Sequence, residues 1–462
     1  MINVSKFVES LEGKPVAVLG LGISNTAAIK ALVKAGATVA AWDDSAAHHE
    51  NAGEHLVDLT EQDMAQYACL IVAPAIPLEL PEPHPIVKKA KEAGLEIMCD
   101  LEILGRCDHG RKTIGITGTN GKSTTTALIG HILSECGIKA QVGGNIGKAA
   151  LDLMMPPKDG AFVLEISSFQ LDLCTSFAPD IGVWLNLTQD HLDRHGTMEG
   201  YAESKARIFR GTGAAVISTD DDWSKKTFDM IEKLDTRDCY PISVHSDTKD
   251  GIYVEGGKLY EAMFGEPVEI AELDIKTLPG IHNQQNICAA YAVARLMGLE
   301  PEAIMAAMET FAGLQHRQYL TRTINGVAYV NDSKATNAAA AGRALASYKN
   351  IYWIVGGRPK EGGLNGLEPY VDRIRHAFLI GEAMDEFATW LDNHGVPHNF
   401  SHTLGKAAHE AHRMAQEARG EPGGTGVVLL SPACASFDQY SSFEERGDHF
   451  TTHVENLEEV PL

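Results

Sequence analysis

A glycine-rich segment at residues 115–124, GITGTNGKST, contains the residue types that bind a nucleotide phosphate. It joins a predicted strand, residues 112–117, to a predicted helix, so backbone N–H groups at the helix start would point at the phosphate. Lys122 would reach the β- and γ-phosphates, and the Ser123 hydroxyl would bind Mg²⁺. The standard loop has glycine where this segment has Ile116. Gly-Lys-Ser in this context nevertheless favours phosphate binding over a plain turn with an exposed lysine.

Carboxylate and imidazole groups follow two further predicted strands. Glu165 ends the strand at residues 161–164, and a carboxylate beside a phosphate loop suits Mg²⁺, which prefers oxygen ligands. Asp190 and His191 lie close together after the strand at residues 183–185. From residue types alone, such a histidine is more often a hydrogen-bonded surface residue than a metal ligand. The residues themselves leave both interpretations open.

Two asparagines share one face of a predicted helix. Asn283 and Asn286 are three residues apart, a spacing that places both side chains on the same side. An amide offers a donor and an acceptor together, as an adenine edge requires, but it also caps a helix well. The residues alone favour neither interpretation.

The segment GLGISN at residues 20–25 matches only part of the dinucleotide-binding pattern G-x-G-x-x-G, because Asn25 replaces the third glycine. It follows a predicted strand and precedes a helix whose predicted N-cap is Ser24. Asp43 comes about 20 residues later at the end of the next predicted strand, where such folds place an acid that binds ribose. An NAD-type oxidoreductase is therefore an alternative function, although no hydride-transfer residues follow in the sequence.

The pattern of strand, glycine turn and helix starts three times along the chain. This order predicts parallel sheets with helices on their faces, and 462 residues correspond to about three domains. The acidic, turn-rich residues 220–274 predict a surface excursion of the middle domain. The first boundary falls near Asp108 and His109. The predicted domains are residues 1–109, 110–313 and 314–462.

The charge balance excludes some classes of protein. The chain has 39 Lys and Arg against 62 Asp and Glu, a formal net charge of −23, which argues against nucleic-acid or membrane binding through a general basic surface. No apolar run approaches the ~18 residues of a membrane helix, and residues 1–14 lack the apolar core of a secretory signal. The eight cysteines include no C-x-x-C pair, which is typical of a reducing compartment. We therefore expect a soluble cytoplasmic protein with small-molecule partners, no nucleic acid and no membrane insertion.

The variant loop TGTNGKST, residues 117–124, resembles that of the Mur ligases and the related folylpolyglutamate synthetases, which are ATP-dependent amide-forming enzymes. The segment NLTQDHLDRH, residues 186–195, resembles the Mur ligase metal segment. The resemblance implies that Glu165 and His191 bind Mg²⁺. It also implies that Lys205 is carbamylated by CO₂ and helps to hold a second Mg²⁺. Its residue type alone would predict a solvated helix lysine.

The same resemblance assigns residues to ATP. Asn286, with its neighbour Asn283, would contact adenine. Arg317 would reach the phosphates across a domain gap, and Asp332 would hold the ribose hydroxyls. The phosphate loop would contribute Gly118, Thr119, Asn120, Gly121, Lys122, Ser123, Thr124 and Thr125.

The segment NDSKATN, residues 331–337, resembles the branch of the family that adds D-glutamate. The implied reaction joins D-glutamate to UDP-N-acetylmuramoyl-L-alanine, driven by ATP through an acyl phosphate. The residues implied around D-glutamate are Lys334, Thr336, Lys360, Ser436 and the backbone of Phe443. Those implied at the UDP end of the other substrate are Ile23, Ser24, Asp43 and Asn145.

Two segments depart from the pattern of that branch. Arg358 stands where many members have aspartate, which predicts a more positive D-glutamate pocket. Residues 73–75 are Ala-Pro-Ala where the pattern has Ser-Pro-Gly, which leaves a contact with the UDP-substrate open.

The expected architecture has three α/β domains. A Rossmann-like amino-terminal domain would bind the UDP-substrate, a central P-loop ATPase domain with a parallel sheet would bind ATP, and a Rossmann-like carboxyl-terminal domain would bind D-glutamate and part of ATP. We expect a monomer with two Mg²⁺ ions and ATP as co-substrate. The alternatives are another amino-acid-adding Mur ligase or a folylpolyglutamate synthetase-like ligase. A P-loop switch or binding protein would leave the metal segment and the third domain without a task.

Overall fold

The computed structural model describes residues 2–107, 110–248, 250–420 and 425–458. These residues form three sheets of mostly parallel strands joined by helices, which confirms the predicted α/β class. They fall into two compact units, the first of Met1–Asp274 with Ile281–Thr310 and the second of Ile275–Gly280 with Phe311–Leu462. The predicted boundary at Asp108 and His109 lies outside the described residues. The division into three domains remains a prediction.

The first sheet has the parallel strands β1 (Val16–Leu19), β2 (Val39–Trp42), β3 (Cys69–Val72) and β4 (Glu96–Met98). Its spatial order is β2-β1-β3-β4. The helices of this region are α1 (Ser5–Glu9), α2 (Ile23–Lys34), α3 (Pro85–Glu92) and α4 (Asp100–Arg106). Every residue of β1 and β3 is buried, as is typical of a parallel sheet between layers of helices.

The start of α2 differs from the prediction. Ser24 is not the N-cap, because it lies within α2, which begins at Ile23 with Gly22 in the N-cap position. The fully buried Asn25 donates hydrogen bonds to the Leu19 and Gly20 carbonyl groups, at 2.9 Å each. These bonds close the turn directly after β1, so the helix begins before Ser24 can cap it.

The second sheet has the strands β5 (Lys112–Thr117), β6 (Ala140–Gly144), β7 (Ala161–Glu165), β8 (Ile181–Trp184), β9 (Gly213–Ser218), β10 (Arg237–Ser243), β11 (Ile252–Glu255), β12 (Lys258–Glu261) and β13 (Val268–Glu272). Their spatial order is β13-β12-β11-β10-β9-β8-β5-β7-β6, and β12 runs antiparallel to both of its neighbours. The helices are α5 (Lys122–Glu135), α6 (Ser168–Asp172), α7 (Leu192–His195), α8 (Met198–Ala206), α9 (Asp222–Leu234), α10 (Ile281–Leu296) and α11 (Pro301–Glu309).

Residues 220–274 are not a surface excursion, contrary to the prediction. They contain α9 and β10–β13, and β10 extends the parallel sheet beside β9. Ile242, Ile252 and Leu259 have no exposed surface, and β10 and β11 pack against α10. The acidic and turn residues of this segment concealed the apolar positions that the sheet buries.

The third sheet belongs to the second unit and has the strands β14 (Tyr319–Ile324), β15 (Val327–Asn331), β16 (Ile351–Gly356), β17 (Ile374–Ile380), β18 (His398–His402) and β19 (Val427–Leu430). Its order is β14-β15-β19-β16-β17-β18, with β14 antiparallel to β15. The helices are α12 (Ala338–Ser347), α13 (Met384–Asn393), α14 (Leu404–Glu417) and α15 (Phe443–Glu455). Separate apolar clusters form around Trp353 and around Phe378 with Phe450.

In the described part of the chain, no helix has both the length and the apolar character that crossing a bilayer requires.

Candidate active site

The loops after three neighbouring strands meet at one edge of the second sheet. β8, β5 and β7 are adjacent and parallel, so their carboxyl ends lie side by side. The phosphate loop follows β5, Asn186 follows β8, and Glu165 is the last residue of β7. Gly121 has a φ of +82°, and a Cβ there would lie 2.3 Å from the Asn286 Oδ1 atom. Glycine is therefore required at this point of the loop.

Asn186 fastens the phosphate loop to its neighbour. Its Oδ1 atom accepts from the Asn120 backbone N–H at 2.8 Å, and its carbonyl oxygen accepts from the Thr119 N–H at 2.9 Å. Its Nδ2 atom donates to the Gln285 Oε1 atom at 2.8 Å. Asn186 was not predicted as a site residue, although it is the first residue of the segment that resembles the metal segment.

Lys122 lies at the first turn of α5, directly after the loop. Its Nζ atom donates to the Gly118 and Thr119 carbonyl oxygens at 2.9 Å each. The ammonium group is thus held over the loop whose N–H groups would surround a phosphate.

Glu165 connects the loop to Asn145. Its Oε2 atom accepts from the Ser123 hydroxyl at 2.5 Å, its Oε1 atom accepts from the Asn145 Nδ2 atom at 2.8 Å, and the residue is 3% exposed. The structure therefore brings Ser123 and Glu165 together, as the sequence predicted, and adds Asn145. These hydroxyl and carboxylate oxygens are donors of the kind that Mg²⁺ prefers. The described residues contain no group of three or more His, Cys, Asp or Glu that could hold a metal, so water or phosphate oxygens would have to complete the coordination.

Lys205 is not a solvated helix lysine. It lies on α8 with 1% of its surface exposed, and its Nζ atom donates to the Gly118 carbonyl oxygen at 2.9 Å. Burial and the nearby Lys122 charge lower the pKa of Lys205 well below its usual range, against the opposing effect of Asp190 and Glu165. The amine is therefore much more readily neutral than an exposed lysine.

Tyr201 and His195 complete the surroundings of Lys205, and neither was predicted as a site residue. The Lys205 Nζ atom lies 4.7 Å from the centre of the Tyr201 ring, and His195 stacks on the same ring at 5.0 Å. Tyr201 also lies 6.1 Å from the predicted ligand His191, measured between ring centres. The available signal was spacing, since Tyr201 precedes Lys205 by one helical turn.

His191 is half exposed, with its Nε2 atom 3.5 Å from the Asp190 carboxylate. Its backbone φ of +52° places it at the N-cap of α7. Its ring lies 4.9 Å from that of Phe169. An open imidazole beside a carboxylate is available to a ligand, and its role as a metal ligand stays a prediction.

Asn283 and Asn286 share one helix face at the start of α10, as predicted. Asn286 donates to the Asn283 Oδ1 atom at 2.9 Å and accepts from the Thr125 hydroxyl at 3.1 Å. Both residues are buried. The Asn286 amide ties α10 to α5, and the contact of both asparagines with adenine stays a prediction.

Asp43 organises a second candidate site at the end of β2. Its oxygens accept from the Leu21 N–H at 2.7 Å and the Ser45 N–H at 2.8 Å, and His48 lies 3.2 Å away. Burial would raise the pKa of Asp43, but these hydrogen bonds and His48 hold it below its usual value. Leu21 and His48, the partners of Asp43, line a cavity of about 410 Å³, whose walls also include Ile23, Thr26, Lys30 and Asn51. Ile23 is 76% exposed, while Ser24 is half-buried in the first turn of α2.

The loop at residues 73–75, which departs from the family pattern, is held from within the same unit. Arg194 donates to the Pro74 and Ile76 carbonyl oxygens, at 3.4 and 2.7 Å. Ala73 lies against the turn after β1, where a Cβ on Gly20 would be 2.7 Å from the Ala73 Cβ atom.

In the second unit, Asp332 directly follows β15 and is 6% exposed. It accepts from the Ser431 hydroxyl at 2.8 Å and from the Gln318 N–H at 3.1 Å. Burial raises the pKa of Asp332 to about 7, although Arg343 and Arg317 act in the opposite direction. The structure thus places Arg317 close enough to influence Asp332.

The residues predicted around D-glutamate occupy different environments. The Lys334 Nζ atom lies 3.8 Å from the centre of the Phe443 ring, and the Phe443 carbonyl oxygen accepts from the Ser333 hydroxyl at 2.8 Å. Thr336 is half-buried, Lys360 is exposed and Ser436 is buried. Their contacts with a substrate stay predictions.

Arg358 lies 3.3 Å from the Glu382 carboxylate. Both side chains are about half exposed, so the ion pair contributes little to stability. The Glu382 carboxylate nevertheless offsets the positive charge that Arg358 was predicted to add to the D-glutamate pocket.

Arg446 is a buried residue of this region that sequence reasoning missed. It is 1% exposed, and it donates to the Ser333 hydroxyl at 2.9 Å, the Ser333 carbonyl oxygen at 2.8 Å and the Cys434 carbonyl oxygen at 3.1 Å. It joins α15 to the segments that carry Lys334 and Ser436. No sequence signal separated Arg446 from the solvated charges around it in FEERGDH.

Comparison with known proteins identifies the class. Residues 116–294 match the family described as the Mur ligase middle domain. The chain is 47% identical to the UDP-N-acetylmuramoylalanine--D-glutamate ligase of Rhizobium meliloti, over 98% of this chain and 99% of that protein. It is 45% identical to the ligase of the same name from Caulobacter vibrioides, over 97% of both chains. The chain belongs to the Mur ligase family and, within it, to the UDP-N-acetylmuramoylalanine--D-glutamate ligases.

The fold agrees with this membership. The UDP-N-acetylmuramate-alanine ligase MurC of Thermotoga maritima superposes with a TM-score of 0.59 at 16% identity, over 96% of this chain and 99% of that one. A pseudomurein peptide ligase from Methanothermus fervidus gives a TM-score of 0.55 at 15% identity, over 96% and 100%. At such identities the likeness concerns the fold alone. The predicted family is confirmed.

Proposed function

We propose that this chain is an ATP-dependent ligase that joins D-glutamate to UDP-N-acetylmuramoyl-L-alanine and releases ADP and phosphate. The observation that carries the proposal is the 45–47% identity with ligases of that name over nearly the whole chain. The phosphate loop, Lys122 and the buried Lys205 lie together in the first unit, as such a reaction requires. The product would serve peptidoglycan precursor synthesis, in the cytoplasm, and the enzyme would act as a monomer.

The chemistry follows from the poor reactivity of a carboxylate. An oxygen of the alanyl carboxylate attacks the γ-phosphorus of ATP, the bond to ADP breaks, and an acyl phosphate forms. The amine of D-glutamate then attacks the acyl carbon and loses a proton as the amide bond forms, and the bond from the acyl carbon to the phosphate oxygen breaks to release phosphate. In this scheme the loop N–H groups and Lys122 orient the γ-phosphate, a contribution made by positioning and charge.

Lys205 is proposed to act as a carbamate. Its neutral amine would attack CO₂ and lose a proton, which replaces a buried cation by a carboxylate-like group. An unmodified ammonium would repel a divalent cation by roughly 4 kcal/mol per unit charge at ~4 Å and an effective dielectric of ~20. Burial beside Lys122 supports this proposal because it favours the neutral amine.

The residues that would hold Mg²⁺ are Ser123, Glu165, His191 and the carbamate of Lys205. When bound, Mg²⁺ would neutralise charge on the transferring phosphoryl group. The Ser123 and Glu165 oxygens suit this ion. His191 would be a metal ligand in this scheme and not a general base.

The remaining substrate contacts follow the family pattern. Asn283 and Asn286 would bind adenine, Arg317 the phosphates, and Asp332 the ribose. Ile23, Ser24, Asp43 and Asn145 would bind the UDP-substrate, supported by the cavity that Ile23 and the Asp43 partners Leu21 and His48 line. D-glutamate would be surrounded by Lys334, Thr336, Lys360, Ser436 and the backbone of Phe443.

Phosphate release tests the proposal. The full chain is incubated with ATP, the UDP-sugar substrate and a panel of amino acids. D-glutamate should stimulate release, and Lys122→Ala should abolish it while the far-UV spectrum is unchanged, because Lys122 acts on the ligand. Stimulation by L-alanine or diaminopimelate, but not by D-glutamate, would overturn the substrate assignment.

The assignment of the UDP site has its own test. Asp43→Ala should raise the KM for the UDP-substrate far more than the KM for ATP, because the carboxylate and the phosphate loop belong to different sheets. Steady-state kinetics with each substrate varied in turn gives both constants. A raised KM for ATP with an unchanged KM for the UDP-substrate would reverse the assignment.

A further inference from the structure

Three histidines that the proposed reaction does not use lie close together on helices α14 and α15 of the second unit. His449 and His453 are one turn apart on α15, and His409 lies on α14. The ring centres of His449 and His453 are 4.4 Å apart, and those of His409 and His453 are 5.9 Å apart. His409 and His449 are exposed and His453 is half-buried. The group is therefore accessible from solvent.

The packing of α14 makes room for this arrangement. Gly405 lies beneath the His453 ring, and a Cβ at Gly405 would lie 2.7 Å from its Nε2 atom. Any side chain at Gly405 would therefore displace the imidazole. The position of His453 is set by the contact between the two helices and not by its own helix alone.

The two imidazoles approach each other through the same ring atom. The Nε2 atoms of His449 and His453 are 3.0 Å apart. Two nitrogens that bind one metal at 2.0–2.1 Å, with an angle between 90° and 109°, lie about 2.9–3.4 Å apart. The pair thus has the nitrogen spacing of a chelate.

A metal chelate needs each Nε2 atom to be free of a proton, and a neighbouring hydroxyl can stabilise that state of His449. The Nδ1 atom of His449 lies 2.7 Å from the Tyr440 hydroxyl oxygen. If Nδ1 carries the proton and donates it to Tyr440, the Nε2 lone pair is free for a ligand. Metal-binding histidines are commonly held in this way by a hydrogen bond from the second ring nitrogen.

We propose that His449 and His453 form a binding site for a borderline transition-metal ion of the Zn²⁺, Ni²⁺ or Cu²⁺ class. Imidazole nitrogen suits these ions, whereas Mg²⁺ prefers oxygen. Water completes the coordination, since the described residues hold no cluster of three or more His, Cys, Asp or Glu placed for a metal. The site therefore binds more weakly than a four-ligand structural zinc site. It lies on the same helix as Arg446 and Phe443, so an occupied site would stiffen the element that carries them.

The alternative is a hydrogen bond in which one Nε2–H donates to the other Nε2 atom. Calorimetric titration of the full chain with zinc chloride separates the two accounts. The wild type should bind one Zn²⁺ that is lost, or weakened at least about tenfold, in both His449→Ala and His453→Ala. The matched control His55→Ala removes an imidazole from the first unit and should leave the titration unchanged. Absence of Zn²⁺ binding to the wild type, or an affinity of either α15 variant equal to that of the wild type, would overturn the proposal.

A second measurement guards against variants that fail to fold. Phosphate release in the absence of added zinc should be the same in His449→Ala and the wild type, since His449 is exposed and is not among the proposed catalytic or substrate-binding residues. Tyr440→Phe keeps both imidazoles and should weaken Zn²⁺ binding several-fold, because it removes the partner of Nδ1. With Cu²⁺ as probe, the electron paramagnetic resonance spectrum should show coupling to two nitrogens. A spectrum with no nitrogen coupling would contradict the assignment.

Discussion

Each unit contains a candidate region built around one basic side chain with 1% of its surface exposed, Lys205 in the first and Arg446 in the second. Lys205 donates to the Gly118 carbonyl oxygen and lies under the influence of a second cation, Lys122. Arg446 donates to two oxygens of Ser333 and to the Cys434 carbonyl oxygen. Burial lowers the pKa of both, but that of Arg446 only to about 10.

The difference shows how burial can serve two purposes. The Arg446 guanidinium is planar, remains charged and matches several fixed acceptors, so it holds three chain segments together. The Lys205 ammonium has fewer acceptors and a like charge beside it, so the neutral amine is favoured. The first arrangement is suited to positioning, and the second to reaction with CO₂.

The largest expected effect comes from Lys205. Lys205→Ala should lower the rate of phosphate release about 100-fold or more, because a charged ligand of the proposed metal site is lost. A small carboxylic acid in the buffer should restore part of the activity by filling the vacant space. Lys205→Arg should stay inactive, since a guanidinium does not form the carbamate. Full activity of Lys205→Arg would show that a plain cation suffices at this position.

Replacement of Arg446 should mainly lower the stability of the folded protein. Arg446→Ala should lower the free energy of unfolding by about 3–5 kcal/mol, because it leaves buried oxygens on Ser333 and Cys434 without a donor. Urea denaturation of the full chain measures this loss. The matched control Arg413→Ala removes an exposed arginine that pairs with Glu417 on α14 and should cost less than about 0.5 kcal/mol. A loss below about 1 kcal/mol in Arg446→Ala would contradict the positioning role.

Asp100 is a buried acid, so the effect of burial on its pKa can be compared with the effect on the two buried bases. Burial raises the pKa of Asp100 to about 6, from an ordinary value of 3.8. The folded protein therefore holds this proton more tightly than the unfolded chain does. The protonated Asp100 carboxyl therefore adds about 3 kcal/mol to the free energy of unfolding, relative to the ionised form. This contribution is fully present below about pH 4 and is lost as the pH rises through about 6. Between about pH 4 and 6, the unfolding free energy of the wild type should fall relative to that of Asp100→Asn. A difference between the two proteins that does not change with pH would contradict the raised pKa of Asp100.

The smallest expected effect concerns a single partner of Arg446. Ser333→Ala removes the hydroxyl that accepts from Nε and donates to the Phe443 carbonyl oxygen, but keeps the backbone acceptor. The expected loss is about 1 kcal/mol in urea denaturation. A loss as large as that of Arg446→Ala would mean that the hydroxyl, and not the guanidinium, organises the region.

The strands that precede the glycine turns, and the phosphate loop itself, were predictable from the sequence. The apolar runs at β1, β5 and β16 and the glycines after them reflect local backbone preferences, which neighbouring residues determine. The prediction failed at residues 220–274, where a mixed composition hid buried strands. It failed also at Ser24, because the turn is closed by the side chain of Asn25.

The sequence by itself therefore determined the fold class, the loop with Lys122 and Ser123, and the family. Only the tertiary structure decided which charges are buried. Lys205 meets the Gly118 carbonyl group across 87 residues, and Arg446 meets Ser333 across 113. Loss of solvent and the presence of distant charges set the protonation of such groups, and both depend on neighbours that are remote in the chain. Helical spacing could place Tyr201 beside Lys205, but it could not show that the lysine is shielded from solvent.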